Sequence, residues 1–399
     1  MTSTFSLDMP IVIVAPYSPV GSCDSPHLGA AKKLASMLSI LSQFGRPIIF
    51  VNSAHNRLVY SRGRTSNGYT GQGQSLTTVV PFTISNRPIG KLLNLLSTAS
   101  LAREIAARKP ALVWIYNGYA FEAKFALELN AICGCPIVLE IEDWHTARSR
   151  GLNPKPVFDM YYFNKVLPRA ALVACVNKAA RDRLTLAESM TMLLPSVVDG
   201  RLITKADSKA PFSDRPYRLG YFGGLSAEKG ADIVLALGSD LPPDWDLTVT
   251  GSGPLVHNFR MLAANKASRI RFTSDASEDE LYREMLQCDA IVNPHRSIAD
   301  MGDGVFPFKV FEALASGRLL ISSALPDAGL ALDRAVLFFD GSVAGLRDSL
   351  ARAKPFYASR LSDILGVSDK VRALYSEDAV FSELNQRLSF LRVNSGNIQ

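Results

Sequence analysis

The sequence predicts an α/β protein built from two doubly wound, Rossmann-like domains, and three observations carry that prediction. At 399 residues the chain exceeds the size at which one hydrophobic core stops growing, so two domains of roughly 150–200 residues are expected. Short, continuously apolar runs alternate with helix-patterned stretches from end to end, as a parallel sheet covered on both faces requires. The alternation lapses once, around 197–217, in a polar, proline-containing connector.

In the first half the strand-like runs are 11–15, 47–52, 112–116, 136–141 and 172–176, with helical stretches at 28–41 and 91–108. Residues 60–87 break the pattern: they are rich in Gly, Ser, Thr and Asn and hold one strand candidate, 76–82. A segment of that length inside a compact domain is usually functional or disordered. The second half repeats the alternation at 219–222, 246–250, 270–273, 290–292, 319–322 and 336–339, and 344–391 reads mostly helical. The expected organisation is an N-terminal domain over 1–198, a linker over 199–216, a second domain over 217–365 and a helical tail over 366–399 packing back on the first domain. Two such domains imply ligands at the carboxyl ends of their strands, facing a cleft.

Composition narrows the class. Apolar residues at 47% and charged residues at 20% fit a globular chain rather than a disordered one. No run reaches the roughly 20 apolar residues that span a bilayer. Residues 1–10 lack a basic stretch ahead of their apolar run, so no signal peptide is expected and the protein is placed in the cytoplasm. Cys23, Cys133, Cys135, Cys175 and Cys288 are scattered and lack zinc or redox spacing, so they read as reduced thiols. Residues 1–200 hold 20 Lys/Arg against 12 Asp/Glu, whereas 201–399 hold 23 against 25. The basic half suits an anionic partner, a charged substrate or the inner face of a membrane touched peripherally, and a solvated basic surface explains it as well. No nucleic-acid module is legible. The stretch 91–109 reads as a helix lying on a membrane or, the reading favoured here, as an ordinary helix turning Leu92, Leu93, Leu95, Leu96, Leu101 and Ile105 to the core.

The chemistry concentrates in 218–323. The run Arg218-Leu-Gly-Tyr-Phe-Gly-Gly-Leu-Ser-Ala-Glu-Lys-Gly230 ends a strand in Gly223 and Gly224 and starts a helix near Gly230. Glycines let backbone approach a ligand, and a helix start offers unpaired N–H groups to an anion, with Lys229 at its entrance. The next strand ends in Gly251-Ser-Gly253-Pro254. The third piece is Phe306-Pro-Phe-Lys309-Val-Phe-Glu312-Ala-Leu-Ala-Ser-Gly317, where Lys309 and Glu312 share the first turns of a helix. A cation there can meet a diphosphate, and a carboxylate can accept from ribose hydroxyls. Residues 302–306, including Val305 and Phe306, supply N–H groups at the same helix start. His295, in Asn293-Pro-His-Arg296, follows a strand and is a further site candidate. Asp244-Trp-Asp246 begins a strand and reads as a turn rather than a metal site.

This order of motifs resembles the retaining family 4 glycosyltransferases of GT-B fold, the glycosyl transferases group 1, over roughly 218–339 and more weakly before it. The resemblance implies a metal-independent transfer with no cofactor beyond a nucleoside-diphosphate sugar as donor. Lys229 would then hold the donor diphosphate, Glu312 the ribose as the second glutamate of the family's Glu-x7-Glu, and Gly251 and Gly253 would lie against the nucleotide. Two positions depart from the pattern. Gly304 stands where the first glutamate is expected, and Gly224 stands where a basic residue often precedes the Lys-Gly pair. Lys309 is the expected source of the missing positive charge.

The first half should hold the acceptor. A loop over 16–22 lies where the family's acceptor loop lies, and the strand ending at 141 runs into Glu142-Asp143-Trp144-His145. There Glu142, Asp143 and His145 are the catalytic candidates, with Glu142 in place of a histidine, and Trp144 can stack on a sugar. The expected function is transfer of a sugar, with retention, to a glycan or lipid-linked glycan in surface polysaccharide assembly. The alternatives are a nucleotide-sugar epimerase of GT-B architecture and a non-catalytic GT-B subunit that binds a partner enzyme.

Overall fold

A computed structural model of the chain describes residues 9–16, 28–53, 64–80, 88–142, 155–200, 202, 210–264, 269–274, 276–296 and 306–389. The chain divides into two compact α/β units, one of Met1–Pro195 with Glu377–Gln399 and one of Ser196–Ser376.

Unit 1 is built on β1 (Ile11–Ala15), β2 (Ile48–Asn52), β3 (Arg64–Tyr69), β4 (Ser75–Val80), β5 (Leu112–Tyr116), β6 (Ile137–Ile141), β7 (Ala170–Cys175) and β8 (Thr191–Leu193), with α1 (Leu28–Ser42), α2 (Pro88–Ala106), α3 (Ala120–Cys133), α4 (Lys155–Val166) and α5 (Lys178–Asp182) between them. The sheet order is β3-β4-β2-β1-β5-β6-β7-β8. Every pairing is parallel except that of β3 with β4. The inner strands β1, β2, β5 and β6 are buried at every residue, which is why they read as unbroken apolar runs rather than alternating ones. Two strands escaped the sequence reading for opposite reasons. β3 is a polar, exposed edge without an apolar pattern, and β8 is only three residues long.

Helix α2 corrects one expectation. It buries Leu95, Thr98, Ala102 and Ile105, spaced three and four apart, and packs on α3, whose Lys124 Nζ donates to Thr98 Oγ1 at 2.7 Å. Leu93 and Leu96 fall off that face and are exposed, so the reading of them as core residues fails.

Unit 2 carries β9 (Tyr217–Phe222), β10 (Trp245–Thr250), β11 (Ile270–Thr273), β12 (Ala290–Asn293), β13 (Leu319–Ser322) and β14 (Val336–Phe338), all parallel. Their order, β11-β10-β9-β12-β13-β14, is the 3-2-1-4-5-6 order of a Rossmann sheet, with its switch point between β9 and β12. Its helices are α6 (Ala231–Ser239), α7 (Val256–Ala264), α8 (Glu278–Leu286), α9 (Phe308–Ala315), α10 (Leu332–Ala335) and α11 (Val343–Tyr375). A capping box between Ser277 and Glu280 starts α8. The carbonyl of Ala315, at the end of α9, accepts from Ser368 Oγ (3.1 Å) and Arg372 Nε (2.7 Å) of α11, which anchors the short helix that carries Lys309 and Glu312.

The sequence places a boundary at 365, but α11 runs unbroken across it. Ile364, Val367, Val371 and Tyr375 keep a three-and-four spacing and are buried, so helix packing holds this stretch to unit 2. The chain then returns to unit 1 as α12 (Glu377–Arg387), where Phe381 meets Phe44 edge-on at 5.1 Å and Ser39 Oγ donates to Glu377 at 3.1 Å. Among the described residues no helix is long and apolar enough to cross a membrane.

Candidate functional site

In unit 2 the sequence-predicted residues gather at the carboxyl edge of the sheet around the β9/β12 switch point, where doubly wound folds bind ligands. β9 ends in Gly223, whose N–H donates to Thr250 O at 2.9 Å, while Leu225 N–H donates to Ser252 O at 2.8 Å. The turns after β9 and β10 therefore run backbone to backbone. A Cβ on Gly251 would strike Gly223 O, and one on Gly253, at φ 145°, would lie 2.7 Å from Leu225 O. Glycine is required there by contact between the two turns.

Tyr221, buried on β9, closes the next turn: its hydroxyl lies 2.7 Å from Gly224 O and 3.3 Å from Lys229 O. Burial pushes its phenol up, so it stays protonated and donates. Lys229 Nζ stands 3.0 Å from His295 Nε2 and 3.0 Å from Glu228 Oε1. Burial, and then the charges of Lys229 and Lys309, push His295 down to about 3. The imidazole is therefore neutral, and facing an ammonium its Nε2 must accept. Ser323 Oγ fixes the same segment through His295 O at 2.8 Å.

Lys309 is the unusual member. Its Nζ is buried and, among the described residues, has no hydrogen-bond acceptor. It lies 4.4 Å from the centroid of the Tyr221 ring, a cation–π contact, and its aliphatic stem would touch a Cβ at Gly223 at 3.4 Å. Burial first and Lys229 second pull it down to about 7 from 10.5. Two amines thus share one turn of the site, and Lys309 has no carboxylate partner among the described residues. Glu312, one turn further along α9, is buried and accepts from Tyr282 Oη at 3.3 Å rather than pairing with Lys309. Phe306 is buried edge-on against Phe311 at 4.9 Å and supports the start of α9. Val305 and Gly304 lie outside the described residues. Asp244, at the amino end of β10, pairs with exposed Arg215 at 3.1 Å, far from the strand ends that carry the site.

In unit 1 Glu142 follows β6 directly, and its N–H donates to Asn117 Oδ1 at 2.6 Å. Its carboxylate contacts Lys33 of α1, which also lies 3.0 Å from Glu140 and donates to Leu194 O at 2.8 Å. Trp114 Nε1 donates to the other oxygen of Glu140 at 2.7 Å. At the end of β2 Ser53 Oγ donates to Glu122, whose carboxyl burial pushes up to about 7. Asp143, Trp144 and His145 lie outside the described residues, as do residues 17–22. Among the described residues no group of three His, Cys, Asp or Glu side chains can hold a metal.

Sequence reasoning missed Tyr221 and Lys33. Both were legible in principle. Tyr221 precedes the glycine pair by two residues, and Lys33 falls on the helical stripe of Met37, Ile40 and Leu41, all buried.

Two α/β units on largely parallel sheets, the second in Rossmann order, have the fold of GT-B proteins. Solved structures agree over nearly the whole chain. Sucrose-phosphate synthase from Thermosynechococcus elongatus matches at TM-score 0.68 and 15% identity, covering 96% of this chain and 99% of that one. HepE from Anabaena, in complex with UDP and glucose, matches at TM-score 0.59 and 13% identity, with the same coverage. The lipopolysaccharide outer core galactosyltransferase WaaB matches at TM-score 0.62 and 12% identity, again with the same coverage. These likenesses show the fold. Comparison with curated protein sequences gives no match. Residues 216–353 match the model of the family glycosyl transferases group 1.

Proposed function

We propose that the chain transfers a sugar, with retention and without a metal, from a nucleoside-diphosphate sugar bound by unit 2 to an acceptor held by unit 1. The single observation that carries the donor half is Lys309, a buried amine with no acceptor among the described residues, placed beside Lys229 at the Rossmann switch point. A fold does not keep an unpaired buried amine next to a second cation without cost. A diphosphate offsets that cost, and the same two cations stabilise the charge that develops on the leaving diphosphate during transfer. Glu312, buried at the same helix start, is assigned the ribose hydroxyls. HepE, one of the structural neighbours, was solved with UDP and glucose, which supports a sugar nucleotide as the ligand class.

On the acceptor side the reading is a glycan or lipid-linked glycan in surface polysaccharide assembly, reached by peripheral contact at the cytoplasmic face of a membrane. Exposed side chains of unit 1 support it. Leu93 and Leu96 on α2, and Val157, Phe158 and Tyr161 on α4, are apolar and exposed. Each of these helices follows a strand of the parallel part of the sheet, so their first turns lie at its carboxyl edge, the edge that carries Glu142. Lys165 follows the apolar residues of α4 and suits an anionic surface, while Lys155 at its start pairs with Asp159.

Thermal shift with UDP-, GDP- and ADP-glucose, followed by release of nucleoside diphosphate with and without an added glycan acceptor, tests the reading. One sugar nucleotide should raise the melting temperature, Glu312→Ala should abolish that rise, and acceptor should accelerate release. Conversion of donor without acceptor would point to an epimerase instead, and binding without any turnover to a non-catalytic subunit.

A further inference from the structure

We infer that Lys33 is a positioning residue for the acceptor-side carboxylate of Glu142, an inference that rests on the reading of Glu142 as a catalytic group. Lys33 comes from α1, between β1 and β2 in sequence, yet its ammonium is buried against the end of β6. It meets Glu140 at 3.0 Å, Glu142, and the carbonyl of Leu194 at 2.8 Å. The decisive point is the second carboxylate. Glu140, Glu142 and Leu194 O all lie around the three donors of the buried ammonium, and Trp114 Nε1 completes Glu140 at 2.7 Å. One ammonium between two carboxylates leaves one negative charge, and the more exposed carboxylate carries it outward, since the Glu142 side chain is 14% exposed and that of Glu140 2%.

The backbone tightens the same arrangement. Asn117, in the left-handed region at φ 64°, donates its N–H to Glu140 O at 2.7 Å and accepts Glu142 N–H on its side chain at 2.6 Å. Glu142 is therefore gripped twice, through its amide by Asn117 and through its carboxylate by Lys33. Such a grip suits a carboxylate that must meet an acceptor hydroxyl in one orientation, because misplacement of a reacting group by about 1 Å costs on the order of a hundredfold in rate.

Lys33→Met leaves two carboxylates buried without a cation and risks unfolding, so the informative variant is Lys33→Met with Glu140→Gln. It removes the cation and one charge together, while the new side-chain amide keeps an oxygen for Trp114. The readouts are melting temperature, the thermal shift given by UDP-, GDP- and ADP-glucose, and nucleoside diphosphate release with water and with octyl glucoside as acceptors. The expected result is a melting temperature above that of Lys33→Met alone with a wild-type donor shift, a fall in kcat of at least roughly tenfold with donor KM unchanged, and substantial recovery in Lys33→Arg. Wild-type kcat in the double variant overturns the inference while leaving Glu142 in place, provided Glu142→Gln is slow. Wild-type kcat in Glu142→Gln overturns the reading of Glu142 itself. Absence of a shift with all three sugar nucleotides overturns the donor assignment, and the inference with it.

Discussion

Unit 1 and unit 2 each bury a lysine at the carboxyl edge of a parallel sheet, and the two are solved in opposite ways. Lys33 is enclosed by two carboxylates and a carbonyl. Lys309 has an aromatic face and no acceptor among the described residues, and the charged neighbour that shifts it is another lysine. The first arrangement is complete within the fold. The second has no anionic partner among the described residues, which fits the diphosphate proposed for it.

The comparison breaks most visibly through stability. Lys33→Met strands two carboxylates, and the loss of one partner from a buried pair costs about 3–5 kcal/mol. Urea unfolding should show that loss. Lys309→Met should go the other way, leaving the protein without ligand unchanged or more stable by about 1 kcal/mol, because a buried amine with no acceptor among the described residues is removed. The same variant should weaken nucleoside diphosphate binding at least roughly tenfold, as loss of a charge-assisted contact predicts. A destabilised Lys309→Met that binds normally would erase the distinction. The smallest effect concerns the outer surface of unit 1. Leu93→Ser with Leu96→Ser removes only exposed side chains, so stability should stay within about 0.5 kcal/mol. Flotation with phosphatidylglycerol vesicles should nevertheless fall severalfold, and unchanged flotation would remove the membrane from the account.

The fold was largely legible because both sheets are covered on two faces: β1, β5, β11 and β13 coincide with the apolar runs read from the sequence. The polar edge strand β3 was not legible, since nothing in its pattern reports a pairing made with β4 alone. Helix α2 shows a subtler limit. Leucine content suggested a core helix, but only the 95-98-102-105 stripe is buried, and period rather than composition decides which leucines face inward. Lys229, Lys309 and Glu312 were singled out because glycine turns and helix starts suit phosphate chemistry. Lys33 was passed over because a lysine in an amphipathic helix normally lies in solvent, and its partners are more than a hundred residues away. Tyr221 was passed over because an aromatic residue in a strand ordinarily means packing, not a surface for a neighbouring ammonium.

The sign of proton exchange gives the most direct test. In the empty fold Lys309 releases its proton at about 7, whereas its ordinary value is 10.5. Between those values the unfolded chain binds more protons than the native one, so this group makes the empty protein more stable as pH rises through that window. A bound diphosphate restores the charge, so binding there must take up a proton, and affinity must fall as pH climbs above 7. Calorimetry at pH 8, in two buffers of different ionisation enthalpy, measures that proton with whichever of UDP, GDP and ADP binds. The account predicts uptake of about one proton by the wild type, from the titration of Lys309, and none by Lys309→Met. Binding without proton uptake, or equal uptake by the two proteins, would contradict it.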